Sequence, residues 1–138
     1  MVNRPATGLL DTSVLVRYLS GISPELASEA AFIIDGSGRL MISGVALAET
    51  AFVLTTVYGG SREDVVDRLI EFLRKENIDT FGLDKQYAIQ GLLMCRPSGR
   101  DSFADALIWA AARSGGGDFV YSFDQRFPSD GIEVRSGL

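Results

Sequence analysis

Short apolar runs alternate along this chain with longer segments of helical period, and that alternation restricts the fold more than any other feature. The runs are "GLLD" at 8–11, "LMIS" at 40–43, "IDTFG" at 78–82, "DFVYSF" at 118–123 and a weaker "IEV" at 132–134. Between them lie segments that read as helices: 13–20, a stretch opened by Pro24, 45–58, a stretch opened by Ser61 and Asp64, 84–95 and 102–113. Strands separated by helices imply a parallel sheet with helices on both faces. The expected fold is therefore α/β, three layers α/β/α around a central, mostly parallel sheet of four to five strands. Right-handed crossovers place the C-terminal ends of all strands on one edge, where ligand sites of such folds lie. No repeat, low-complexity tract or linker divides the 138 residues, so a single domain over 1–138 is expected.

Composition removes several kinds of chemistry. The chain has no histidine, which excludes a Ser-His-Asp triad, an imidazole base and an imidazole-ligated metal. A lone cysteine, Cys95, excludes an intramolecular disulfide and a thiolate zinc cage. Catalysis is left to carboxylates, hydroxyls, Lys or Arg, or a metal held by oxygen. The net charge of −5 argues against a general nucleic-acid-coating protein, not against a nucleic-acid enzyme that carries a bound cation. No run approaches the roughly 18 apolar residues of a membrane span. The N-terminal "MVNRPATG" lacks the pattern of a secretory signal, so no membrane and a cytoplasmic location are expected.

In the segment after Ser61, Val65, Val66, Leu69, Ile70 and Leu73 recur at helical spacing. Arg62, Glu63, Asp67, Arg68, Glu71, Arg74 and Lys75 then read as a solvated face. Trp109, set among Ala and Leu, reads as core. Apolar surface is expected to remain for a partner on residues 22–34 or 41–58, because a helix nearly apolar all round must be buried against something.

Four acids stand alone in apolar surroundings: Asp11 after the first strand, Glu49 within 45–58, Asp105 in "SFADALIWAAA" and Asp124 directly after "FVYSF". Three have ordinary readings: Asp11 as a helix cap, Asp105 as part of a capping box opened by Ser102, and Asp124 as a turn residue. Glu49 lacks such a reading unless an Arg pairs with it. Asp11 and Asp124 fall on the same sheet edge, and the helices of Glu49 and Asp105 can reach it. Clustered carboxylates repel unless compensated, and an oxygen-only set suits Mg²⁺ or Mn²⁺ rather than zinc. Such a site serves phosphate chemistry.

The segments "LLDTSVLVRYL", "ISGVALAETAFVL", "SFADALIWAAARSGG" and "YSFDQRF" resemble the PIN-domain ribonucleases, and more closely the VapC toxins of toxin–antitoxin pairs. The resemblance covers nearly the whole chain. It implies Mg²⁺- or Mn²⁺-dependent cleavage of RNA, with a homodimer silenced by a cognate antitoxin. It matches Asp11, Glu49, Asp105 and Asp124 to the four family acids, as metal ligands and catalytic residues, and Ser13 and Ser122 to supporting hydroxyls. Many members carry a further acid where this chain has Ser102; Asp101 stands one residue earlier as a supporting residue. Arg17, Arg100 and Arg126, near these segments, are candidates for RNA phosphates. Two other readings stay open: a catalytically silent binding module of the same fold, and a phosphate-handling α/β protein with Asp11 as phosphate acceptor.

Overall fold

The computed structural model describes residues 6–137. Met1–Pro5 and Leu138, which enter the expected 1–138 domain and the N-terminal segment read for a signal, lie outside them. In chain order the elements are β1 (Gly8–Leu9), α1 (Thr12–Ser20), α2 (Pro24–Ile34), β2 (Leu40–Ser43), α3 (Gly44–Thr56) and α4 (Arg62–Leu73). There follow β3 (Ile78–Phe81), α5 (Lys85–Cys95), α6 (Phe103–Ala111) with a π-helical turn Ala112–Gly116, β4 (Phe119–Tyr121) and β5 (Glu133–Arg135). The fold is α/β, and every strand pairing is parallel. The described strands form two ladders, β1-β2-β3 and β4-β5.

Helix starts follow the cap residues. Asp11, Ser43, Ser61, Asp84 and Ser102 each adopt extended backbone and accept a hydrogen bond from an amide of the first turn. Each such cap contributes about 1 kcal/mol. Pro24 opens α2 at a position where its missing N–H costs nothing. Gly21 closes α1 in the left-handed conformation, its N–H donating to the Arg17 carbonyl.

Register explains which residues are buried. Leu40 pairs with Gly8 and Ile78, and Ile42 with Thr80, so these share a face with Leu10. Leu10, Ile42, Ile78 and Thr80 are buried there. Leu9 and Phe81 point to the other face and are 65% and 60% exposed. Both residues of β1 are thus exposed, and of the run "GLLD" only Leu10, just past the strand, is buried, because the two-residue pleat sends that side chain alone into the core. Along α3 the buried residues are Ala46, Leu47, Thr50, Ala51 and Leu54, one helical stripe.

Helix packing sets what can meet. α3 packs against α1, α4 and α6, and α6 against α5. At that last contact Gly91 lies where an added Cβ would come within 2.8 Å of the Ala106 carbonyl oxygen, so glycine allows the backbones to close. Trp109 is core, 2% exposed, and its Nε1 donates to the Asp130 carbonyl at 2.8 Å. Arg113 stacks on Tyr87 and donates to the Gly131 carbonyl at 3.1 Å. These two bonds tie the segment before β5 to α6, while β4-β5 carries its own ladder.

Phe32, Ile33, Leu26 and Ile22 on and before α2 are exposed, as are Val45, Phe52 and Val57 along α3. The apolar surface expected on these two segments is therefore present. No described helix is long and apolar enough to cross a membrane.

Candidate active site

Each of the four acids sits at a local structural position. Asp11 caps α1: its Oδ2 accepts the Ser13 hydroxyl at 2.6 Å and the Ser13 amide at 3.1 Å. These bonds favour the ionised form and hold the carboxyl below its usual range, the hydroxyl bond contributing most. Asp105 lies in the first turn of α6, and its amide donates to the Ser102 hydroxyl at 3.0 Å, the first half of the capping box. Asp124 folds its own turn: its Oδ1 accepts the Arg126 amide at 2.8 Å and its carbonyl the Phe127 amide at 3.1 Å. Its own amide donates to the Ser122 hydroxyl at 3.1 Å.

Glu49 differs from the other three. It is exposed in the middle of α3, flanked by buried Leu47 and Thr50, and has no ion pair or side-chain hydrogen bond among the described residues. No Arg pairs with it among the described residues. Beside it, the Thr50 hydroxyl is fully buried and has no hydrogen-bond partner among the described residues.

The elements that carry Asp11, Glu49 and Asp105 meet through α3, which packs on both α1 and α6. The strand leading to Asp124 pairs with β5, and among the described residues no ladder joins it to β1. Among the described residues no three acid side chains lie close enough to hold a metal ion. The donors themselves fit an oxygen-liganded dication in kind: carboxylates and hydroxyls, with Asp11 held ionised.

The remaining candidates fall around these positions. Asp101 is half-buried before the α6 cap, and its carbonyl is bound by Arg62. Arg126 lies 3.9 Å from Asp124, a loose exposed pair. Arg100 is in the exposed turn before α6. Arg17 is in the last turn of α1, about 9 Å along the axis from the Asp11 cap at 1.5 Å per residue.

One residue was hidden by its neighbourhood. Arg62 does not belong to a solvated face: it is half-buried and its Nε donates to the Cys95 carbonyl at 2.7 Å. It opens α4, so its stem leaves the helix at the first turn and reaches the loop between α5 and α6. No sequence signal separates it from the other charges of "SREDVVDRLIEFLRK".

A family model for the PIN domain matches residues 8–129. The chain belongs to the PIN domain family. No curated protein matches it. PIN domains are generally metal-dependent nucleases that act on nucleic acids, so the α/β scaffold carrying Asp11, Glu49, Asp105 and Asp124 is a nuclease fold.

Proposed function

We propose that this PIN domain is a Mg²⁺- or Mn²⁺-dependent endoribonuclease, a hydrolase of RNA phosphodiesters acting as the toxin of a VapBC-type pair. The reading is carried by the acid quartet itself, above all by Glu49, an acid with no ion pair or side-chain hydrogen bond among the described residues, on a helix that packs against the two helices opened by Asp11 and carrying Asp105. Asp11, Asp105 and Asp124 would hold the ion, directly or through water, and Glu49 would share the shell or orient the attacking water. The chemistry such a dication would supply is neutralisation of charge on the phosphoryl oxygens and a more acidic attacking water. Ser13 keeps Asp11 ionised and oriented, and Ser122 restrains the turn of Asp124. Asp101 is a supporting acid of the site, one residue before the α6 cap. Arg126 and Arg100, and less directly Arg17, offer charge to the RNA backbone. With no imidazole to deprotonate a ribose 2′-hydroxyl, attack by water leaves a 5′-phosphate and a 3′-hydroxyl.

The segments "LLDTSVLVRYL", "FADALI" and "YSFD" support the toxin assignment. The exposed Phe32, Ile33, Val45 and Phe52 support a homodimer and an antitoxin as protein partners, because patches of large apolar side chains mark protein contacts.

The test is cleavage of a mixed RNA pool by purified chain, freed of any partner, in Mg²⁺, Mn²⁺ or EDTA, with Asp11→Asn alongside. Metal-dependent cleavage lost in the variant is expected. RNA left intact under every condition, with metal leaving both melting curves unmoved, would end the nuclease reading. The spacing of the acids favours one other reading, a catalytically silent binding module. RNA bound equally well with EDTA and never cut would select it.

A further inference from the structure

Arg62 grips the segment that carries Asp101 and leads into the helix of Asp105. Its Nε donates to the Cys95 carbonyl at the end of α5, and its Nη2 to the Asp101 carbonyl just before the α6 cap. The guanidinium lies 4.3 Å from the centre of the Phe103 ring, the first residue of α6. One planar fork thus holds both ends of the 95–102 loop, and a cation–π contact fixes the turn that follows. The fully buried Cys95 thiol lies between two carbonyls, Gly91 of its own helix at 3.5 Å and Ser102 at 3.6 Å. Asp101 and Phe103 are therefore each tied to Arg62, and the Ser102 carbonyl lies against the Cys95 thiol. Asp105 stands two residues further on, its amide capped by Ser102. Arg62 forms no ion pair with an acid among the described residues, so its donors go to backbone carbonyls rather than to a carboxylate.

We propose that Arg62 is a positioning residue for the nuclease site, setting the first turn of α6 and so the carboxylates of Asp105 and Asp101. The inference rests on the metal-dependent nuclease reading above. It separates from a purely electrostatic role by sign. A positive charge near the acids opposes a dication, so a role of charge alone predicts tighter metal binding when the charge is removed. A positioning role predicts weaker binding, and predicts it even for lysine, which keeps the charge but cannot bridge two carbonyls in one plane.

The experiment compares wild type, Arg62→Lys and Arg62→Met in the full chain. Three quantities are read: Mn²⁺ affinity by calorimetry with Mn²⁺ alone, the rate of Cys95 labelling by a thiol reagent, and kcat and KM for RNA cleavage. Circular dichroism and melting establish that each variant folds, and Arg62→Lys serves where Arg62→Met does not. The expected result is faster labelling of Cys95 in both variants, with Mn²⁺ affinity lowered about 10- to 100-fold, the range for residues that orient metal ligands. kcat falls with it while KM for RNA holds. Labelling unchanged in both variants overturns the grip. Faster labelling with Mn²⁺ affinity unchanged or raised overturns the positioning role and leaves Arg62 a structural residue. Wild type that binds no Mn²⁺, or binds it equally well as Asp11→Asn, removes the nuclease reading and this role with it, and is told apart from the other failures by the wild-type titration.

Discussion

The Ser13 side chain gives Asp11 Oδ2 its shortest hydrogen bond, 2.6 Å, and the Ser13 amide shares the same oxygen at 3.1 Å. Both bonds favour the charged carboxylate, and its pKa is held below the usual value. Ser13→Ala removes the stronger one. The Asp11 carboxyl is then expected to titrate at higher pH, moving toward the ordinary value, which carbon-13 NMR of the side chain reads directly. By linkage, a depressed carboxyl adds stability above its unfolded pKa and loses it as pH falls through the folded one. The acid limb of the wild-type stability curve is therefore steeper than that of Ser13→Ala. Coincident limbs would show that Ser13 does not bias Asp11.

Glu49 separates chemistry from architecture more cleanly than the other acids. Asp11 caps a helix and Asp124 builds a turn, so their removal costs stability as well as charge; losing the Asp11 cap to alanine costs about 1 kcal/mol. Glu49 is exposed and bonded to nothing among the described residues. Glu49→Gln is expected to change unfolding free energy by less than about 0.5 kcal/mol, as for surface substitutions, while abolishing cleavage. Urea unfolding and an RNA cleavage assay together decide it. Unchanged cleavage would take Glu49 out of the site.

Thr50, the next residue, buries a hydroxyl with no partner among the described residues. An unsatisfied buried hydroxyl costs roughly 1–3 kcal/mol, and valine has nearly the same shape without it. Thr50→Val is expected to raise the urea midpoint with an unchanged slope. A lowered midpoint would mean that the hydroxyl is satisfied in solution.

Local signals made much of the fold legible. Ser61 with Asp64, Pro24, and Ser102 with Asp105 announce helix starts, and the structure places a cap or a first turn at each. The period of Val65, Val66, Leu69, Ile70 and Leu73 marks the buried face of α4. What stayed hidden depends on contacts distant in sequence. Arg62 looks like Arg68 or Arg74 in the sequence, yet its partners lie 33 and 39 residues away. The exposure of Leu9 is set by pleat direction, which a four-residue apolar run does not reveal. The acids were visible as exceptions in apolar segments, but the distances between them are set by how α1, α3 and α6 pack and by a β4 strand paired elsewhere.

Gly91 tests that packing. A Cβ there would approach the Ala106 carbonyl oxygen to 2.8 Å and its carbon to 3.3 Å, and backbone cannot swing aside as a side chain can. Helix propensity alone favours alanine by about 1 kcal/mol. Overpacking a tight contact costs about 1–3 kcal/mol, so Gly91→Ala is expected to destabilise the chain on balance. Because α6 carries Asp105, the substitution should also reduce cleavage in the surviving folded protein. A melting temperature at or above that of wild type would show that α5 and α6 separate easily.

Tyr18 gives the fold an alkaline limb. Burial, then the hydrogen bond from its hydroxyl to Asp35 Oδ1 at 2.6 Å, pushes its pKa from 10.0 up to about 12. Asp35 is held low in return, by that hydroxyl first and then by Lys75, whose Nζ lies 3.0 Å away. A raised tyrosine pKa means that folding favours the neutral phenol. Its contribution is complete below the unfolded pKa near 10 and is lost as pH climbs through about 12. Tyr18→Phe keeps the ring against Phe72 but has no proton to lose. The wild-type minus Tyr18→Phe stability difference is therefore expected to shrink between these two pH values, with the other tyrosines cancelling in the subtraction. Thermal melts across that range, with tyrosinate absorbance recorded alongside, measure it. A difference flat with pH would mean that the Tyr18 hydroxyl titrates like a free one and that its bond to Asp35 does not hold in solution.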